Sequence, residues 1–498
     1  MKKKKKIVLF IILIVVLLSQ IWIAFLLTTE EPYYENFYGF TFRTAVADTV
    51  LSQEEMIKDV DYYISEIKTY HPQPFLFMTE EEFDCKASEI KAELAEKDEM
   101  TVEDLYFKLS ELVGMIDDSH TWVISPQNRK THFLPFQAIY KDGKFYNISR
   151  ENEIPYKAEI LSINGIDSEQ LFNMIAKFSV TPLKGGTENF VEYNFRSHVP
   201  LLLGFEDSYS IEYRENDKIY TEVVKPVKSY KGRQLELIDD HEYYYEGKSI
   251  PVLELNSFSA FDVVDHYKKK VDQFFKKYKD SESIVIDIRN NGGGSDDFGF
   301  LVFNYFADDS YKIFDRFIAP INDRVKAFYK YAYKLQLYIN KVPSVFWNLP
   351  LYNVIPEMEY FKKILNAENG EHLTLDAYTV KNPIKKVNRY KGKVYLLISG
   401  NTASAAIDFA SVFKYNCKNG IVVGQETRHP ESFSGNISKY YLPYSGIGYT
   451  IPHTYCVAPG DENLTSGVIP DYKISVGIED YDAGRDPELE FILSELEN

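Results

Sequence analysis

Beyond residue 50, apolar positions recur with helical spacing. Met56, Val60, Ile64 and Ile67 fall on one stripe, predicting a helix over 53–69. His71-Pro72 closes it, because the residue before a proline is pushed out of the helical region. A second helix fits 80–97. A third opens at Thr101, with Asp104 three residues on as in a capping box. It continues through Leu105, Leu109 and Leu112 and stops near Gly114. Together these predict a helical domain over 51–125.

Between 133 and 149 the pattern becomes alternating, and Asp142-Gly143 marks a hairpin turn. Residues 159–178 read as strand, tight turn at Asn164-Gly165, and helix. A β-rich segment over 130–182 is the expectation, and 210–257 are β-rich as well. From residue 249 strands alternate with helices. A strand precedes an amphipathic helix over 261–278, then SIVIDI follows at 283–288. KVYLLIS at 393–399 leads into a helix over 403–414, followed by GIVVG at 420–424. That alternation predicts a mainly parallel sheet with covered faces, so 183–498 is expected to be an α/β core. The aromatic, helix-prone stretch 322–366 reads as an added packing layer, with a lid as the alternative.

The start of the chain has no polar face at all. Lys2 to Lys6 precede an apolar run over 7–27, broken only by Ser19 and Gln20. At about 1.5 Å per residue this run covers about 31 Å, the thickness of a bilayer core. It is longer than a cleaved signal and lacks a small-residue cleavage site. The expectation is an uncleaved anchor over 1–28 and a juxtamembrane stalk over 29–50. The lysines stay in the cytoplasm, and the remainder lies outside the cell membrane.

Composition narrows the chemistry. The 498 residues carry 56 basic against 74 acidic side chains, a net charge of −18, which speaks against nucleic acid as a partner. Three scattered cysteines, Cys85, Cys417 and Cys456, make neither a disulfide framework nor a zinc site. None of the nine histidines sits at close metal spacing, so no metal and no cofactor is expected.

Three segments carry candidate chemistry. IDIRNNGGGSDDF, 286–298, places Gly292 to Gly294 at the carboxyl end of a buried strand. Glycines there let amides approach a ligand, or simply make a tight turn. SGNTASAA, 399–406, runs from a strand into a helix whose first turn holds Ser404. A hydroxyl at a helix N-terminus suits a nucleophile whose intermediate is an oxyanion; the alternative is that Thr402 or Ser404 only caps the helix. DDSHT, 117–121, sets Ser119-His120 in a polar loop before an apolar strand.

Together these segments resemble the tail-specific, or C-terminal processing, family of serine peptidases. RNNGGG resembles its core motif, SGNTASAA its nucleophile segment, and DDSHT its D-x-H-T segment. EILSINGIDSEQL is similar to the carboxyl half of the family's PDZ-like domain. The resemblance implies an α/β fold: a mainly parallel-sheet catalytic core, an N-terminal helical domain and a β-rich, partly PDZ-like segment over 130–182, preceded by one transmembrane helix. It implies Ser404 as nucleophile and a peptide or unfolded protein as substrate. One catalytic plan of the family is a Ser-Lys dyad, but His429 stands where that lysine would be, and the nearest later lysine is Lys439. The tricorn-core-like branch instead uses a Ser-His sequence, matched by Ser119-His120. That likeness implies His120 as general base, with Ser119 and Glu462 fixing its tautomer and Asp461 competing with Glu462. It also implies Ala405 with Gly292 or Gly293 as oxyanion donors. His429 is a rival base. The competing functional expectation is a catalytically silent peptide- or lipid-binding protein on the same scaffold.

Overall fold

The run 283–288 has almost nothing to offer water, and the chain buries every residue of the strand Ser283–Asp287. In the computed structural model this strand lies near the centre of a six-stranded sheet. The order is Ile238–Tyr245, Lys248–Leu255, Ser283–Asp287, Lys393–Ile398, Gly420–Gly424 and Tyr472–Lys473. The first pair is antiparallel and all others are parallel. The structure describes residues 44–498 except 129, 231–234, 261–262, 340–341, 343–345, 356–357, 461, 478–479, 481–484 and 497–498. The expected anchor and stalk therefore lie almost wholly outside the described residues. Among the described residues no helix is long and apolar enough to cross a membrane.

The helices Val264–Lys277 and Ala405–Asn416 connect successive parallel strands. The C-terminal helix Pro487–Glu495 buries Leu489, Ile492 and Leu493 against Val252, Val285, Tyr395 and Val423 of the sheet. Arg289 ties that helix down: its guanidinium reaches Asp287 at 2.6 Å, Asp486 at 2.7 Å and Glu488 at 2.5 Å.

The three N-terminal helices form as Gln53–Tyr70, Glu80–Ala95 and Val102–Gly114. The Thr101 cap accepts the Asp104 amide at 3.1 Å. Their apolar faces share one core with Tyr440, Leu442, Ile447, Tyr449 and Ile451. Two carboxylates reinforce the junction. Asp59 accepts the amides of Tyr444 and Ser445, and Glu66 accepts the Tyr449 hydroxyl at 2.6 Å.

The β-rich segment extends beyond residue 182. The hairpin Ala138–Lys141 and Lys144–Asn147 joins Glu159–Ile163, which pairs with Tyr209–Glu215, and that strand with Lys218–Val224. The boundary expected at 182/183 thus falls inside this module. Its ends meet, since Phe133 and Val227 exchange both backbone hydrogen bonds at 2.9 Å. The helix Lys184–Leu202 completes it, with Val191, Phe195 and Val199 in the module's core. Residues 319–374 form a second compact unit. Within it the helix Asp323–Ile339 supplies Tyr333 and Leu337 to a core with Trp347.

Candidate active site

Adjacent parallel strands deliver their carboxyl-end loops side by side. Ser283–Asp287 and Lys393–Ile398 are such neighbours, with Asp287 opposite Leu397. The two loops are laced together. Ser399 Oγ donates to Arg289 O, Thr402 Oγ1 donates to Ile288 O, and the Ala403 amide donates to Asn291 O. Asn291 is fully buried. Its Nδ2 donates to Leu255 O at 2.8 Å, and its Oδ1 accepts the Gly293 amide at 2.8 Å.

Gly293 must be glycine. Its φ is +102°, and a Cβ there would stand 2.6 Å from the Cβ of Ser404. Ser404 itself has φ 55° and ψ −130°, a conformation that costs a non-glycine residue of order 1–3 kcal/mol. Its neighbours hold it there. Its carbonyl accepts the Ile407 amide at 2.7 Å, and its own amide donates to His429 Nε2 at 2.9 Å. The hydroxyl does not cap the helix Ala405–Asn416, and Thr402 is engaged with Ile288 and Ser399. Capping therefore accounts for neither side chain.

Ser404 Oγ stands 2.9 Å from His120 Nε2, across 284 positions of sequence. The histidine arrives on a loop pinned to the strand Gly448–Ile451. Thr450 Oγ1 donates to His120 O at 2.9 Å and accepts the Trp122 amide at 3.1 Å. The ring stacks on Phe433, centroids 5.3 Å apart and planes 14° from parallel, with His429 edge-on at 5.6 Å. Burial lowers the pKa of His120, and the charge of Asp118 opposes that shift. The ring thus stays neutral at ordinary pH and able to take a proton.

His429 plays a different part. Its Nδ1 faces the Pro430 carbonyl at 3.0 Å, which can only accept, so the ring proton sits on Nδ1. Nε2 then accepts the Ser404 amide. Burial, with His120 beside it, pushes its pKa down to about 3. His429 is thus a brace on the serine backbone, not a base on its hydroxyl.

Other residues fall elsewhere than the resemblance implied. Ser119 Oγ donates to Val180 O at 3.3 Å. The carboxylate of Glu462 accepts the Tyr455 hydroxyl at 2.7 Å and pairs with Arg316 at 2.9 Å. Neither is hydrogen-bonded to His120, whose buried Nδ1 makes no hydrogen bond among the described residues. Asp461 lies outside the described residues. The Lys439 ammonium rests over the Tyr441 ring at 5.3 Å. The Gly293 amide is spent on Asn291, which removes it as an oxyanion donor. The amides of Gly292 and Ala405 make no hydrogen bond among the described residues. Gly292 is exposed, and Ala405 opens the serine helix.

Two residues of the site were not singled out from the sequence. Asn291 had only its place before the glycines to mark it. Asp118 lies two positions before His120, in the motif already noted.

A strained serine between two parallel-strand loops, within reach of a buried neutral histidine, defines a serine hydrolase centre. Residues 249–474 match Peptidase family S41 and form a domain of that family; the chain is a serine-type peptidase. The fold agrees with two solved structures of CPAF. Mature CPAF complexed with lactacystin is 15% identical, with a TM-score of 0.66 over 89% of this chain and 97% of that one. Mature CPAF without that compound gives 15% identity and a TM-score of 0.61 over 86% and 94%. The photosystem II D1 C-terminal processing protease is 12% identical, with a TM-score of 0.41 over 84% and 93%. No curated protein sequence matches the chain.

Proposed function

We propose that this is a membrane-anchored, extracytoplasmic serine peptidase of the tail-specific type. Ser404 is its nucleophile and His120 its general base. The observation that carries this reading is the 2.9 Å separation of Ser404 Oγ and His120 Nε2. The Ser404 O–H bond breaks as Nε2 takes the proton, and Oγ adds to the scissile carbonyl carbon. The oxyanion forms at the start of the helix Ala405–Asn416, where the Ala405 and Gly292 amides serve as donors. Collapse of the adduct cleaves the C–N bond, and His120 returns its proton to the leaving amine; water then hydrolyses the acyl-enzyme.

The substrate is a peptide or unfolded protein. Residues 7–27 anchor the chain by a single pass, with Lys2 to Lys6 in the cytoplasm and the peptidase outside.

Labelling of the detergent-solubilised full chain by a fluorophosphonate, beside Ser404→Ala and His120→Ala, tests the chemistry. Both substitutions should abolish it. Survival in His120→Ala removes His120 as base. A wild type that folds yet never labels returns the weight to a silent binding protein. Digestion of the ectodomain by protease added to intact cells tests the topology; protection would reverse it.

A further inference from the structure

A general base needs support for the charge it acquires. The side chains implied for that role, Ser119 and Glu462, hydrogen-bond elsewhere. Two positions before His120 stands a buried carboxylate. Asp118 is 7% exposed, and its Oδ1 accepts the His120 amide at 2.8 Å. The Thr121 hydroxyl donates to the same oxygen at 3.3 Å. That hydroxyl faces His71 Nε2 at 2.9 Å, which also stands 3.5 Å from Asp118 Oδ2.

The proton on His71 can be placed by geometry. The Gln73 amide donates to His71 Nδ1 at 3.1 Å, so Nδ1 is an acceptor and the ring proton sits on Nε2. His71 Nε2–H therefore donates to Thr121, and Thr121 donates to Asp118. Among the described residues no lysine or arginine pairs with Asp118. A buried carboxylate without a cation is costly unless hydrogen bonds or a transient positive charge offset it. Burial raises the Asp118 pKa, but nearby His71 and His120, with the Ser434 hydroxyl, outweigh it and hold the carboxyl down to about 2.

We propose that Asp118 is the positioning residue of the His120 base, held from behind by the Thr121–His71 pair. This rests on the reading of His120 as base. Asp118 acts in two ways. Its bond to the His120 amide sets the loop that aims the ring, with Phe433 fixing the ring plane. Its charge is in place before the reaction and favours the imidazolium that forms when the Ser404 proton arrives. Asp117, the residue before Asp118, is pushed up to about 6 by burial. His429 is edge-on and carries its proton on Nδ1. Arg428 lies beyond His429 and is electrostatically coupled to it. Tyr63, behind Asp118, is kept protonated by burial and by that carboxylate.

The test is the pH dependence of fluorophosphonate labelling in the full chain. A charge this close to a histidine shifts it by roughly one pH unit or more. Asp118→Asn should slow labelling about tenfold to a hundredfold and move the acid limb to lower pH by about one unit. Glu462→Gln should do neither. A slowed Asp118→Asn enzyme with an unmoved limb would mean a merely structural role and would overturn the proposal. Persistent labelling in His120→Ala would instead condemn the reading of the base.

Should Asp118→Asn fail to fold, histidine NMR on Ser404→Ala decides. Both rings are buried and both feel Asp118, but its carboxylate is bonded to the His120 amide while His120 and Arg428 hold His429 down, so His120 should gain its proton at clearly higher pH than His429. If His120 stays neutral as far down in pH as His429, the proposal fails.

Discussion

His429 Nε2 accepts the amide of Ser404 at 2.9 Å, so the histidine nearer in sequence grips the serine's backbone while His120 meets its hydroxyl. The arrangement separates holding from proton transfer, and the two parts can be perturbed one at a time.

His429→Ala removes the brace and leaves the base. A buried hydrogen bond to a strained residue contributes on the order of 1–2 kcal/mol. The peptidase should lose roughly tenfold in kcat/KM, with the acid limb of its pH profile unmoved. A limb that shifts with this substitution would show that His429 titrates with catalysis.

The same histidine makes stability depend on pH. Its folded pKa of about 3 lies below the ordinary 6.5, so the unfolded chain binds the proton more readily. Its contribution is intact above pH 6.5 and is lost as pH falls toward 3. Asp118, at about 2 against an ordinary 3.8, acts with the same sign lower on the scale. Urea unfolding at a series of pH values should show stability falling below pH 6.5. His429→Ala should flatten the upper part of that fall.

Gly293→Ala drives a methyl group into Ser404 Cβ at 2.6 Å and forces alanine to a φ of +102°. Labelling should fall about a hundredfold, with a stability loss of about 2 kcal/mol from backbone strain. Undiminished labelling would mean that the turn is free to move away from the serine.

Arg289 holds three carboxylates, one at the end of the strand before it and two at the start of the C-terminal helix. Removing one partner from such a half-buried cluster strands like charges together. Arg289→Ala should cost about 3–5 kcal/mol, read as a lower urea midpoint. Arg289→Ala with Asp486→Ala and Glu488→Ala should regain part of it.

Much of the architecture was legible because it is local. The capped start at Thr101, the Asp142-Gly143 hairpin and the strands at 283–288 and 393–399 each announce themselves within a few residues. The helix Lys184–Leu202 did not, since Gly185, Gly186 and Pro200 all argue against one. Gly186 is explained only by tertiary approach: a Cβ there would meet the Arg428 carbonyl at 2.0 Å. The module boundary was missed for a related reason. Strand pairing between Glu159–Ile163 and Tyr209–Glu215 links segments whose own periodicity does not name a partner.

The sequence by itself determined the elements, the glycine turn, the serine at a helix start and the order of the three motifs, because spacing and side-chain type act along the chain. Only the tertiary structure decided which nitrogen faces which atom. It brought His120 to Ser404, turned His429 to the serine amide, engaged Glu462 with Arg316 and Tyr455, and turned the Asp118 carboxylate to the His120 amide. Those choices depend on distances of about 3 Å, the longest spanning 284 positions between His120 and Ser404, where a hydrogen bond is made or lost by fractions of an ångström.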